Sequence, residues 1–145
     1  MNSVMKKAMR VANVIAVSLY RRTNGRIGGT ARGTPILLLT VAGRKTGTPH
    51  TVPVSYFKYD GGYLVTGSAG GMKDDPQWMR NLKAAGRAHI QIGGEDSEVD
   101  ARIPNGAERD ELWCDVVLGR APFFAKYQAK SGRMIPVAML VPRLE

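Results

Sequence analysis

The chain has 145 residues, enough for one domain with one core, and 43% of them are hydrophobic, a globular value. With 21 Lys and Arg against 12 Asp and Glu, its formal charge of +9 favours acidic partners: nucleic acid, anionic lipid or a phosphorylated small molecule. One cysteine, Cys114, excludes an intrachain disulfide, and two histidines, His50 and His89, form no ligand cluster, so no metal site is expected.

The N-terminal stretch "MKKAMRVANVIAVSLYRR" has a basic start and an apolar middle, as signal peptides do. Arg10 and Asn13 interrupt it, and a clear cleavage site is missing. No run of about 18 apolar residues follows, so no transmembrane helix is expected. At helical spacing Val4, Met5, Ala8, Met9, Ala12, Ile15 and Leu19 share one face, and Lys6, Lys7, Arg10, Asn13, Ser18 and Arg21 the other. Val14 and Val17 break the pattern. Such a helix either packs on its own domain or lies on an anionic membrane surface. The glycine- and arginine-rich "RRTNGRIGGTARGTP" then reads as a loop. Residues 1–29 are therefore expected to form helix and linker, and residues 30–145 the main domain.

"PILLLTVA" (35–42) reads as a buried strand, and "HTVPVSYFKY" (50–59) as its alternating antiparallel partner. Pro53 places the latter at an edge or a bulge. After the turn "DGG", "YLVTG" (63–67) makes a third strand. Asp75 and Pro76 predict the cap and first residue of a helix ending near Ala85. "RAHIQIG" (87–93) and "SEVDARI" (97–103) predict a hairpin around "GEDS". Asn105 and Glu108 have capping-box spacing for a helix to about Leu118, with Cys114 as a core thiol. A short helix at 122–130 and a strand at 134–141 complete the chain. About six strands, mostly in hairpins, with few strand–helix–strand crossovers, disfavour a doubly wound sheet. The expected fold class is α+β: a small, mostly antiparallel barrel with peripheral helices.

Three stretches can carry chemistry. "AGRKTGTPH" is a basic, glycine-bracketed turn whose Arg44, Lys45 and Thr46 suit a phosphate, although a solvated hairpin turn explains the glycines equally. "TGSAGGMKDDPQWMRNL" ends a strand in small residues that let backbone approach a flat ligand, and Trp78 and Asn81 share a helical face. It lacks the third glycine and following helix of a dinucleotide site. "APFFAKYQAKSGR" groups Phe123, Phe124 and Tyr127, as core or as an aromatic lid. Ser55, Ser68 and Ser131 have no histidine and aspartate in a triad order. Scarce acid–base machinery beside a basic turn and a glycine shelf points to a bound cofactor. The basic residues are scattered and no binding motif accompanies them, so nucleic acid is not expected.

Together, "TVAGRKTGTPHTVPVSYF", "VTGSAGG…DPQWMRNLKA" and "YQAKSGRMIPVAML" resemble the deazaflavin-dependent oxidoreductases and nitroreductases of actinobacteria, over roughly residues 30–142. The resemblance implies a split, flavin-reductase-like β-barrel that binds reduced coenzyme F-420. It implies Arg44, Lys45 and Thr46 on the cofactor's phosphate, with His50 nearby. Thr51, Val52, Pro53 and Ser55 would line the deazaflavin, Thr66, Gly67, Ser68 and Ala69 would cradle it, and Gln77, Trp78 and Asn81 would close the far wall. The implied reaction is hydride transfer to an electron-poor acceptor: a quinone, an activated enone or a nitroaromatic. Ser55, Phe124 and Tyr127 would surround the substrate. Ser55 and Phe124 stand where nitroreductase-type relatives carry tyrosines, so weaker nitroreduction is expected and Tyr127 is left as candidate proton donor. The alternative is a flavin-mononucleotide enzyme or flavin-binding module on the same barrel. A cytoplasmic protein is expected, with the inner membrane face as a further location if the first helix binds lipid; the oligomeric state is left open.

Overall fold

Six antiparallel strands close on themselves in a computed structural model that describes residues 3–143. Helix α1 (Ser3–Thr23) leads through a short strand β1 (Thr30–Ala31) into β2 (Thr34–Ala42), β3 (Pro49–Tyr59) and β4 (Gly62–Thr66). Helix α2 (Gln77–Ala85) precedes the hairpin of β5 (Arg87–Ile92) and β6 (Glu95–Arg102). Next come α3 (Gly106–Glu111), a π-helical segment (Leu112–Val117), α4 (Leu118–Arg120), α5 (Phe124–Ser131) and β7 (Val137–Pro142). The strand order β2-β3-β4-β7-β6-β5 is closed by pairing of β5 with β2, so the expected barrel forms.

The unbroken apolar run of β2 is explained by burial on both faces. Leu37, Leu39 and Val41 point into the barrel with Tyr56, Val65, Ile90, Val99 and Leu140. Ile36 and Leu38 point out and meet Val17 and Tyr20 of α1. Strand β3 divides its partners: residues 49–55 pair with β2 and residues 56–59 with β4. Pro53 lies in the half that β4 leaves uncovered, where its missing N–H costs no ladder bond on that side. Phe57, Leu64 and Met139 alternate with the inward residues and pack outside the barrel on Trp113, Phe124 and Ile135. Arg109 is buried in that outer layer. It donates to the Ile135 carbonyl through Nε (3.0 Å) and to Gln128 Oε1 (2.7 Å), with its guanidinium 5.0 Å from the Trp113 ring centre.

Several local expectations are corrected. In α1 it is the pattern-breaking Val17, with Tyr20, that packs on the barrel, while Val4, Met5, Met9, Ile15 and Leu19 are exposed. The Tyr20 hydroxyl fixes this choice. It donates to the Ile36 carbonyl (3.0 Å) and accepts from the Gly93 N–H (2.9 Å). Asp75 does not cap α2, whose N-cap is Pro76; it pairs with Arg133 and, at 3.8 Å, with Lys83. Asn105 is the N-cap of α3 without a side-chain cap bond, and the Glu108 carboxylate, which would complete a capping box, turns to Arg102 (2.7 Å) instead. The β5–β6 turn is Gly93–Gly94, with Gly93 at φ 59°, which lets "EDS" continue β6. Cys114 is exposed on the π-helical segment and is no core thiol.

Candidate active site

Strand β4 runs out at Thr66, and Gly67 follows with its N–H on the Pro136 carbonyl (2.9 Å). A Cβ on Gly67 would lie 3.0 Å from Pro136 Cγ and 3.3 Å from Met79, so a larger residue would have to push these side chains back. The next turn holds Ala69, Gly70 and Gly71 in the left-handed region, at φ 48°, 63° and 85°. Such a φ is unusual for alanine and costs on the order of 1 kcal/mol, strain of a kind that concentrates at binding sites. This shelf leans on α5: a Cβ on Gly71 would meet the Lys130 side chain at 3.1 Å.

The shelf forms one wall of a cavity of about 280 Å³. Pro53, Val54 and Ser55 of β3 form a second wall, with Thr66 and Trp78, while Phe123, Phe124 and Tyr127 close the third. Ala31, Arg32 and Thr34 complete the lining. Arg32 donates from Nη1 to the Tyr127 hydroxyl (2.9 Å), and its guanidinium lies 5.7 Å from the Phe123 ring centre and 5.8 Å from that of Tyr127. Among the described residues Arg32 forms no ion pair. The Ser55 and Thr34 hydroxyls are 3.0 Å apart, and Thr34 also donates to the Ala31 carbonyl (2.6 Å).

Of the residues singled out from the sequence, Pro53, Ser55, Thr66, Ser68, Ala69, Trp78, Phe124 and Tyr127 meet in this cavity. The basic turn stands apart from it. Its fold is local: Gly43 N–H donates to the Thr48 carbonyl and Gly47 N–H to the Gly43 carbonyl, each at 2.8 Å. Arg44, Lys45, Thr46 and His50 are exposed on it. A Cβ on Gly43 would lie 3.3 Å from both His50 Nε2 and Thr46 Oγ1, so those two groups converge on the turn. Thr51 is held by Thr40 (2.7 Å) and receives Arg21 (3.3 Å), and Val52 is half-buried beside it. Gln77 is exposed and outside the cavity lining. Asn81 is buried, and its Oδ1 accepts from both the Arg44 backbone N–H (3.1 Å) and Nη1 (2.8 Å). Sequence reasoning missed Arg32, which looked like one more arginine in a loop. Its φ of 50° is the local trace of its special position.

The family model for F420H(2)-dependent quinone reductases matches residues 13–142. The chain belongs to that family. An F420H(2)-dependent quinone reductase of Mycobacterium tuberculosis H37Rv is 36% identical over 129 residues, 87% of each chain. Among solved structures, an F420-H2-dependent reductase (FDR-A) superposes with a TM-score of 0.64 at 34% identity, covering 73% of this chain and 93% of its own. Another, described as a domain-swapped dimer, gives 0.67 at 30% identity, covering 94% and 96%. The protein is thus an F420-dependent reductase of the quinone-reductase family.

The residues present fit such a cofactor. Neither Arg44 nor Lys45 forms an ion pair among the described residues, which leaves cations free for phosphate and carboxylates. Strand β3 runs from the turn to the cavity, a reach of about 17 Å from His50 to Ser55 at about 3.3 Å per residue. A flat ring with a long acidic tail matches a site built this way.

Proposed function

We propose that the reductase works on a quinone in the cavity between β3, the Ala69–Gly71 shelf and α5, with the cofactor's acidic tail on the Gly43–Pro49 turn. The observation that supports this best is the reach of α2. Trp78 lines the cavity, and one helical turn further Asn81 holds Arg44. One short helix thereby joins a ring-sized cavity to a cationic turn. When bound, the reduced deazaflavin supplies a hydride. Arg44, Lys45 and Thr46 bind its charged groups, with His50 beside them. Thr51, Val52, Pro53 and Ser55 flank the path to the ring, Thr66 to Ala69 back the ring, and Trp78 closes one side, with Gln77 and Asn81 on the same helix.

A quinone that gains a hydride becomes an anion and needs a proton. The Tyr127 hydroxyl accepts its hydrogen bond from Arg32, so its own proton is free for the acceptor oxygen. Arg32 carries positive charge to the same place, which favours the developing oxyanion. Activated enones make the same demand for one proton beside the hydride. Nitroaromatics demand more protons, and Phe124 has none to give.

Turnover of a naphthoquinone tests this reading, with cofactor binding followed separately by fluorescence. Tyr127→Phe should lower kcat by about 10- to 100-fold, with water supplying the residual proton transfer, and leave the cofactor Kd unchanged. An unchanged kcat would remove Tyr127 from the mechanism. Failure of the wild-type protein to bind F420 would remove the site.

A further inference from the structure

One arginine outside the cavity lining bonds to the shelf along its length. Arg133, in the segment between α5 and β7, is largely buried and spends its whole guanidinium on the stretch from Gly67 to Asp75. Nε donates to the Met72 carbonyl at 3.1 Å. Nη2 donates to the Gly67 carbonyl at 2.9 Å and to the Ser68 carbonyl at 3.4 Å. Nη1 pairs with Asp75, which Lys83 of α2 also approaches at 3.8 Å.

The direction of those carbonyls has a consequence for the opposite side of the backbone. A trans peptide is planar, with its N–H antiparallel to its C=O, and no cis peptide occurs among the described residues. The peptide that turns the Gly67 carbonyl to Arg133 therefore turns the Ser68 N–H away from it. The Ser68 carbonyl accepts from the Gly71 N–H at 2.8 Å as well as from Arg133 at 3.4 Å, and its peptide likewise turns the Ala69 N–H the other way. Neither N–H donates to a protein acceptor among the described residues. Both residues line the cavity. The left-handed Ala69 is the strained point of this arrangement, and the fork of Arg133 spans it.

We propose that Arg133 is a positioning residue. By holding the Gly67, Ser68 and Met72 carbonyls, it aims the Ser68 and Ala69 N–H groups into the cavity as a donor pair for a ring carbonyl or nitrogen. Its own atoms do not touch the ligand. The proposal rests on the reading that the shelf backs the deazaflavin ring.

Arg133→Ala and Arg133→Lys test it, read by fluorescence titration with F420 and with the tail-less deazaflavin riboside, and by the amide signals of Ser68 and Ala69 in the free protein. Lysine keeps the charge and the pairing with Asp75 but not the fork. Losing two aimed donors should weaken both ligands by about 10- to 100-fold in Arg133→Ala and by less in Arg133→Lys. Millimolar guanidinium should restore most of the affinity to Arg133→Ala and leave the wild type unaffected. Wild-type affinity in a folded Arg133→Ala protein overturns the proposal. So does a loss of affinity that guanidinium does not restore and that follows the melting temperature alone, as a merely structural role would give. If the wild type itself binds no F420, the reading of the site fails. The positioning role is then decided by the amide signals: unchanged signals in both variants reject it.

Discussion

Replacing Asn81 by leucine should separate the two ends of the site. The Asn81 side chain is buried, and among the described residues its hydrogen-bond partners are the Arg44 N–H and guanidinium. Leucine fills a similar volume, so its apolar burial offsets part of the loss. The backbone bond contributes about 1 kcal/mol, and the bond to the exposed Arg44 arm less than about 1 kcal/mol after solvent screening. Folding stability should therefore change by no more than about 1 kcal/mol. Binding should change more. Without Asn81 the Arg44 side chain must be ordered on binding, at a cost of about 1–2 kcal/mol, close to tenfold in Kd. The assay is a pair of fluorescence titrations, one with F420 and one with the tail-less deazaflavin riboside. Only the first ligand should lose affinity, and the gap should narrow at high salt. Equal losses for both ligands would mean that Asn81 supports the cavity rather than the turn. No loss for either would mean that Arg44 does not hold the tail.

Two further predictions concern the scaffold. His89 on β5 bonds Glu98 through Nδ1 (2.6 Å) and Asp96 through Nε2 (2.8 Å), and these bonds, Glu98's first, raise its pKa above 6.5 against the opposing effect of desolvation. A raised folded-state pKa gives stability that is fully present below about 6.5 and fades as pH rises through the folded value. Urea midpoints of wild type and His89→Gln should thus differ most in mild acid and converge at alkaline pH; a difference that grows with pH contradicts the pairing. Tyr20→Phe leaves the Gly93 N–H without its acceptor under a residue only 1% exposed, which should cost about 1–3 kcal/mol in urea unfolding without altering F420 affinity. Unchanged stability would show that α1 is not anchored through this hydroxyl.

Much of the barrel was legible because its strands obey simple periods. The apolar run of β2 announces burial on two faces, and the alternation of β3 and β5 announces one inner face each. The choice of face on α1 was not legible. Its apolar stripe is the better helix pattern, yet Val17 and Tyr20 win because Tyr20 meets backbone groups of β2 and of the β5–β6 turn, partners that no local pattern contains. The widened turn over Leu112–Val117 was equally hidden, since the buried stripe of Leu112, Trp113, Val116 and Val117 suits an α-helix as well.

The candidate site divides along the same line. Ser68, Ala69 and Trp78 were readable as small or flat residues in the stretch after a predicted strand, whereas Pro53 and Ser55, inside a predicted strand, were pointed to only by the family resemblance; all five line the cavity. Arg32 and Arg133 were not readable, because an arginine's role is set by what its fork reaches. Arg32 reaches a hydroxyl 95 residues away, and Arg133 reaches carbonyls 61 to 66 residues away. In a chain of charge +9 most arginines look alike in sequence. Contacts tell the roles apart. Arg44 is exposed and held by one asparagine, which leaves donors for a ligand. Arg109 and Arg133 have their donors filled by protein carbonyls, carboxylates and an amide. Arg32 lies between, one bond made and the rest of its fork at the cavity. The excess charge thus divides into arginines that build the site and cations that remain to meet an anion, and only the second group should set the salt dependence of cofactor binding.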